Sequence, residues 1–412
     1  MRRAIVHLAL VAAATLSTIV SQAMVASAQT EPPQTDDRPF VAFLAPLSGE
    51  WGGIGRRAHR SVVMASELWP GVRVEVYDTA ENPTLAYQAA VMDGAVAILG
   101  PVGEVESRAV IAEAGPDGLP IYLLSSVAGL ESLGARIFRL HSSAGEQAEM
   151  IGRWHASQRP GQTYAVLTTD DASGHDAATR FVSAVLEQGG IVTQVVLYSG
   201  EGFEALPAAE QAVGLRTRRL VSPGNGWSQP PRTRVSASAT GRIDRPDAVF
   251  IADYDQPVAD LLPSLRYLEW ISDDPDENVE LLGVSYWNGP ALEYAGDSAA
   301  GALVTLLHSL DDPRAAASAF AMEYETRWAA YPTEFEAQVF DAAGFVLSAL
   351  SGVDPERLNP AGVVRAVDNA DVFSGACGEM SLTDDGAVLR DMGLWQVDGG
   401  GRFFPVEILL PE

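Results

Sequence analysis

Several short patterns in this chain have residue types that support chemistry, and each implies a different reaction. Gly53-Ile54-Gly55-Arg56-Arg57-Ala58 fits G-x-G-x-x-A, and Asp78 follows about 20 residues on, at the end of a strand-like run. In a dinucleotide site the glycines let the backbone close on a pyrophosphate and the acid takes a ribose hydroxyl. That geometry needs the first glycine directly after the strand. Here eight residues separate Leu44 from Gly53. The pattern reads better as a cleft loop feeding a helix N-terminus, whose N–H groups can still hold a polar or anionic group. His175-Asp176 has the types of a base and its orienting acid, but reads as a helix start. Asp170-Asp171 has the types for a cation, but reads as a helix-capping loop. Gly296-Asp297-Ser298-Ala299-Ala300 lacks the final glycine of a nucleophile elbow. The six histidines are scattered, with no H-x-x-x-H, and Cys377 is the single cysteine. No carboxylate pair stands out for glycoside hydrolysis. The expectation is a binding protein, not an enzyme, with no catalytic residues, cofactor or metal.

The better candidates are polar and aromatic residues at the carboxyl ends of expected strands, where open parallel sheets bind ligands. From the first half of the chain these are Ser48 and Trp51, Gly103 and Glu104, and the pair Ser125 and Ser126. From the second they are Ser173, Asp253 and Tyr254, then Tyr286 and Trp287. Aromatic rings there supply apolar walls with hydrogen-bond handles. Trp51 and Trp287 stand out because a large aromatic in a Gly-rich loop has little local reason to be there.

The elements that must position them follow a simple rhythm. Phe40 to Ala45 is continuously apolar, which suits a strand buried on both faces. Pro46 to Gly55 is a long turn, and a helix with Ala58, Val62 and Ala65 on one side follows. Strands at 72–77, 95–99 and 119–124 alternate with helices at 83–92 and 106–114. Such alternation makes a parallel sheet with helices on both faces. Near His141 the pattern starts again and builds a second doubly wound lobe. Leu389 to Val397 reads as one strand in an antiparallel C-terminal group. Val221 to Ile243 breaks the rhythm. It is rich in Pro, Gly and Arg and reads as an inserted surface loop: either solvated, or a contact surface for an acidic partner.

Composition bounds the partners. The formal net charge is −27, and all 27 basic residues are arginine. That balance repels nucleic acid and anionic lipid, so neither nucleic-acid binding nor direct membrane binding is expected. Residues 1–28 read as a cleavable signal peptide: Arg2 and Arg3, an apolar stretch, then Ala26-Ser27-Ala28. No cysteine follows for lipid attachment, so the expected location is periplasmic or extracellular. Residues 29–37 read as a flexible leader. Roughly 380 residues remain, enough for two domains.

Read together, the motifs resemble a family. APLSGEWGGIG at 45–55, AILGP at 97–101, LPIYLLSS at 119–126, DDASG at 170–174 and DAVFIADY at 247–254 occur in the order seen in type I periplasmic binding proteins of the Leu/Ile/Val-binding branch. The resemblance implies an α/β fold of two doubly wound, Rossmann-like lobes, joined by three crossovers around a central cleft. It implies lobe 1 at 38–140 plus 309–374, lobe 2 at 141–308 plus 375–412, and hinge closure on a ligand. Where amino-acid-binding members tend to carry a hydroxyl pair after the Gly-Pro, this chain has Val102-Gly103-Glu104, and an acid there repels a carboxylate. The Arg- and Pro-rich insertion and SYWNGP at 285–290 look more like the penicillin-binding protein activators. The resemblance therefore implies a regulator that meets a cell-wall synthesis protein. The alternative is a solute receptor that holds a small polar ligand, such as an amino acid, and delivers it to an ABC permease.

Overall fold

The computed structural model describes residues 36, 38–199, 204–214, 245–272, 274 and 278–411. The expected signal peptide (1–28) and inserted loop (221–243) lie outside the described residues, as does nearly all of the expected leader (29–37).

Phe40–Ala45 (β1) is buried along its whole length. Successive side chains on a strand point to opposite faces, so such a run needs cover on both sides. β1 pairs in parallel with Arg73–Asp78 (β2) and with Ala97–Leu99 (β3). Ile121–Leu123 (β4) and Ile137–Arg139 (β5) complete a parallel sheet of order β2-β1-β3-β4-β5. On one face Val41 and Phe43 pack with Val62 and Ala65 of the helix Gly52–Leu68. On the other, Phe40, Ala42 and Leu44 pack with Tyr87 and Val110 of the next two helices. Each buried large apolar side chain contributes roughly 1.5–3 kcal/mol. The first face is finished from far along the chain, by Val339, Val346 and Leu350 of the helix Glu334–Ser351.

The second sheet holds Thr163–Thr169 (β6), Ile191–Tyr198 (β7), Ala248–Ala252 (β8), Glu280–Gly283 (β9) and Leu303–Leu306 (β10), all parallel. Phe373–Gly375 (β11), Gly378–Leu382 (β12) and Val388–Arg390 (β13) then form a small antiparallel sheet. Met392–Val397 (β14) and Phe403–Leu409 (β15) return to the second sheet, whose order is β15-β14-β10-β9-β8-β6-β7. The fold class is thus the expected two-lobed α/β architecture. Among the described residues no helix is long and apolar enough to cross a membrane.

The C-terminal region corrects two expectations. Leu389 to Val397 is two strands, not one, broken at Asp391 and lying in different sheets. The stretch up to Arg390 sits with the first lobe, not the second. Met380 and Val388 bury in the first lobe's core, and Ala387 bridges Arg139 at the edge of β5. Apolar burial, not chain order, decides which lobe this segment joins.

The chain passes between lobes at Leu140–Ser143, at Leu307–Arg314 and at Asp391. Buried charge holds these crossings. Arg139 is fully buried; its Nε lies 3.1 Å from Glu131 of lobe 1, and its Nη1 lies 3.2 Å from Glu146 on the first helix of lobe 2. It also donates to the His141 carbonyl. Glu146 in turn accepts from the Ser143 N–H at 2.9 Å, and the Ser143 hydroxyl accepts from the Glu146 N–H at 3.1 Å, closing a capping box. Burial opposes the charge on Arg139, but the attraction of Glu146 and Glu131 outweighs it and raises its pKa. At the other crossings Asp341 pairs with Arg390 at 3.3 Å, and Asp312 with Arg314 at 2.6 Å.

Two outcomes follow from these crossings. Arg139→Met leaves two carboxylates facing each other and is expected to cost about 3–5 kcal/mol in denaturant unfolding, whereas a loss under about 1 kcal/mol would show the triad to be dispensable. His141 is buried beside Arg390 and Arg139, and its pKa falls from 6.5 to about 3. Between those values the unfolded chain binds a proton that the folded one does not, so stability is lost as pH falls through that window. His141→Gln is expected to flatten the melting-temperature profile between about pH 6.5 and 4; an unchanged slope would assign acid sensitivity elsewhere.

Candidate functional site

The carboxyl ends of both parallel sheets face the cleft, and their loops form its two rims. On the first rim the Pro46–Trp51 loop folds back onto Asp78. The Leu47 and Ala80 N–H groups reach its Oδ1 at 2.8 and 3.0 Å, and the Ser48 hydroxyl and N–H also favour its charge. Burial pushes the Asp78 carboxyl up, but these hydrogen bonds together pull it below the usual range. Ser48 is therefore engaged in shaping the loop. Trp51 is 61% exposed, immediately before the helix Gly52–Leu68. That helix already includes Gly53, where an added Cβ would meet only open space, whereas one at Gly55 would lie 1.9 Å from the Pro46 carbonyl. The glycine pattern thus serves close helix–loop packing, and the dinucleotide geometry is absent.

Gly103 caps the helix Glu104–Ala114, and Glu104 turns away from the cleft to pair with Arg108 at 2.8 Å. Glu106 takes the inward place that the sequence suggested for Glu104. Its carboxylate accepts from Thr79 Oγ1 at 3.3 Å, and its Oε2 is buried without a hydrogen-bond partner. Burial, with repulsion from Asp78, raises its pKa. Helix phase explains the exchange. Glu104 is one turn from exposed Arg108, and Glu106 is one turn from buried Val110. Ser125 is buried in its own turn, where its Oγ accepts from the Val127 N–H at 3.3 Å.

On the second rim Asp171 caps its helix through the Gly174 N–H at 2.8 Å, and Asp170 pairs with His175 at 2.7 Å. Asp253 is buried; it accepts from the Tyr198 hydroxyl at 2.9 Å and the Tyr254 N–H at 2.8 Å. Burial raises its pKa, and Asp171 adds to the rise. Tyr254 is 62% exposed and stacks on Tyr286, with ring centroids 4.8 Å apart and planes 6° off parallel. The Tyr286 hydroxyl lies within the influence of Ser126 of lobe 1 and Ser173 of lobe 2, whose hydroxyls favour its ionised form. Burial pushes that hydroxyl up to about 12, so it stays protonated at neutral pH.

Ser126, Ser173, Tyr254 and Tyr286 therefore converge, with Asp253 behind them. Trp287 does not join them, which corrects the sequence expectation. It is fully buried in the second lobe's core, with its Nε1 donating to the Ile251 carbonyl at 3.0 Å. Gly283 makes the room, since a Cβ there would come within 2.5 Å of the indole. Glu334 is a residue that sequence reasoning missed. From the first turn of a lobe 1 helix it accepts from the Leu307 N–H at 3.0 Å and feels the Ser285 hydroxyl of lobe 2. Thr333 and Glu336 mark that helix start as a capping box, but nothing local says what the start faces. Among the described residues no group of three His, Cys, Asp or Glu converges as a metal site.

A family model described as periplasmic binding protein matches residues 40–217 and 237–402. Among solved structures, a branched-chain amino acid ABC transporter protein from Rhodospirillum rubrum is 18% identical, with a TM-score of 0.71 over 89% of this chain and 100% of its own. A leucine binding protein from Thermotoga maritima is 18% identical, with a TM-score of 0.65 over 90% of this chain and 99% of its own. A solute binding protein from R. palustris, in complex with benzoate, is 16% identical, with a TM-score of 0.64 over 90% of this chain and 96% of its own. No curated protein matches the chain.

Glu334 gives the site a pH signature. Burial pushes its carboxyl from 4.5 up to about 7. Between those values the folded state keeps a proton that the unfolded state releases, so this group lowers stability as pH rises through the window. Glu334→Gln is expected to melt progressively higher relative to wild type from about pH 5 to pH 8. A difference that stays constant with pH would remove Glu334 from the titrating groups.

Proposed function

The chain belongs to the periplasmic binding protein family, and we propose that it acts as a solute receptor for an ABC transporter, closing its two lobes on a small polar molecule. Tyr286 carries this reading. Its hydroxyl feels a serine of each lobe, and it backs Tyr254, whose ring is largely exposed. A molecule lying against Tyr254 is held where the two lobes meet. Contact with both lobes is what lets a ligand shift a hinged protein toward its closed state. Trp51, Gly103, Ser126 and Ser173 complete the proposed lining, with Glu106 in place of Glu104. The solved relatives support binding rather than catalysis, since they are described as transporter or solute-binding proteins. The cell-wall reading depends mainly on the insertion at 221–243, outside the described residues, and no structural observation adds to it. The N-terminal stretch fits the family's periplasmic or extracellular location as an export signal.

The test is a thermal-shift screen against amino acids, amides, amines and aromatic acids, since a ligand at about 100 times its Kd stabilises the fold by about 2.7 kcal/mol. Tyr254→Ala is expected to abolish the shift given by a hit while leaving the unliganded melting temperature near wild type. Trp287→Ala is expected to lower stability itself, by about 3–5 kcal/mol, as a core cavity does. A hit whose shift survives Tyr254→Ala unchanged would place the ligand elsewhere.

A further inference from the structure

The receptor reading leaves the ligand's chemistry open, and the inference here rests on that reading. Carboxylates stand on both rims of the cleft: Asp78 and Glu106 on lobe 1, Asp171 and Asp253 on lobe 2. What neutralises them differs sharply from what neutralises the carboxylates at the crossings. There, Glu131 and Glu146 share Arg139, Asp341 has Arg390, and Asp312 and Asp391 share Arg314. Among the described residues no such partner acts on Asp78, Glu106 or Asp253. Asp78 is satisfied by backbone N–H groups and Ser48. Glu106 feels Thr79, the Gly103 N–H and the repulsion of Asp78. Asp253 feels Tyr198, the Tyr254 N–H and the repulsion of Asp171.

Of the arginines nearest in sequence to the first rim, Arg57 and Arg108 are ion-paired and Arg56 is tied to a backbone carbonyl. Arg56 donates to the Leu47 carbonyl at 2.6 Å, Arg57 lies 2.9 Å from Glu336, and Arg108 holds Glu104 outside. The chain has no lysine. A ligand carboxylate in this cleft would meet like charge on both rims, where among the described residues no arginine is paired with Asp78, Glu106, Asp171 or Asp253 and Arg56 is already tied to the Leu47 carbonyl. A positive charge would relieve two repelling carboxylate pairs at once. It would also meet the exposed face of Tyr254, whose ring attracts cations, and an overall charge of −27 draws such ligands in.

We infer that the cleft selects a small organic cation without a free carboxylate: an amine, a guanidinium or a quaternary ammonium compound.

Pairs that differ only by a carboxylate, or by its exchange for an amine, test this directly. Agmatine against arginine, 3-methylbutylamine against leucine, and benzylamine against benzoate are to be compared by calorimetry on the full mature chain, with glucose as a neutral polar probe. The amine of at least one pair is expected to bind at least about tenfold tighter than its carboxylate counterpart. Glu106→Gln and Asp253→Asn are each expected to weaken that amine at least about tenfold. They should not lower the unliganded melting temperature, since each removes a repulsion between carboxylates. Glu104→Gln, outside the cleft, should leave binding unchanged. Arginine, leucine, benzoate or glucose binding as well as or better than the amines would overturn the cation class while leaving the receptor standing. Silence across this panel overturns the class, and silence across the wider thermal-shift screen as well would overturn the receptor reading with it.

Discussion

The molecule depends on one buried arginine. Arg139 ends the last strand of the first sheet, and its guanidinium is held between Glu131 of its own lobe and Glu146 of the other. Three charges out of water are costly, and an apolar trio of the same volume is often no less stable, but removing one member of such a set is expensive. The triad therefore works as a constraint on geometry more than as net stabilisation. Because Glu146 also caps the first helix of lobe 2, the direction in which that lobe leaves the crossing is tied to a strand end in lobe 1. The other crossings repeat the device with Asp341 and Arg390, and with Arg314 between Asp312 and Asp391.

This arrangement divides the molecule's charge into two regimes. At the crossings arginines match carboxylates, and the geometry is fixed. On the rims Asp78, Glu106 and Asp253 are held by hydroxyls and backbone N–H groups, and repulsion remains. A fixed hinge region with an electrostatically unfinished cleft suits a protein whose ligand supplies the missing charge. The apolar cores play a separate part. Each sheet is covered on both faces, and each rim loop is anchored to the end of a buried strand.

Neighbouring residues show how finely this is decided. Tyr286 and Trp287 share one short 3-10 turn, yet Tyr286 meets serines of both lobes while Trp287 fills the space left by Gly283 in the core. Glu104 and Glu106 share one helix turn, yet one pairs with a surface arginine and the other turns inward beside Asp78. In both pairs the composition of the loop is readable, and the member that reaches the cleft depends on what lies across from it.

The sequence by itself determined the two-lobed α/β class, the strand buried on both faces at 40–45, and the positions of Ser126 and Tyr254 just past strand ends. These rest on side-chain alternation and helix periodicity, which backbone geometry sets over a few residues. Helix caps such as Asp171 are equally local, since a cap's partners lie two or three residues away. Only the tertiary structure decided that 375–390 joins lobe 1, that Glu334 reaches Ser285, and that Trp287 is core. Those outcomes depend on partners far apart in the chain, as the Ser142 N–H and Gln338 are, 196 residues from each other. No local period encodes such a meeting; it follows from which apolar surfaces bury together and which buried charges must find an opposite.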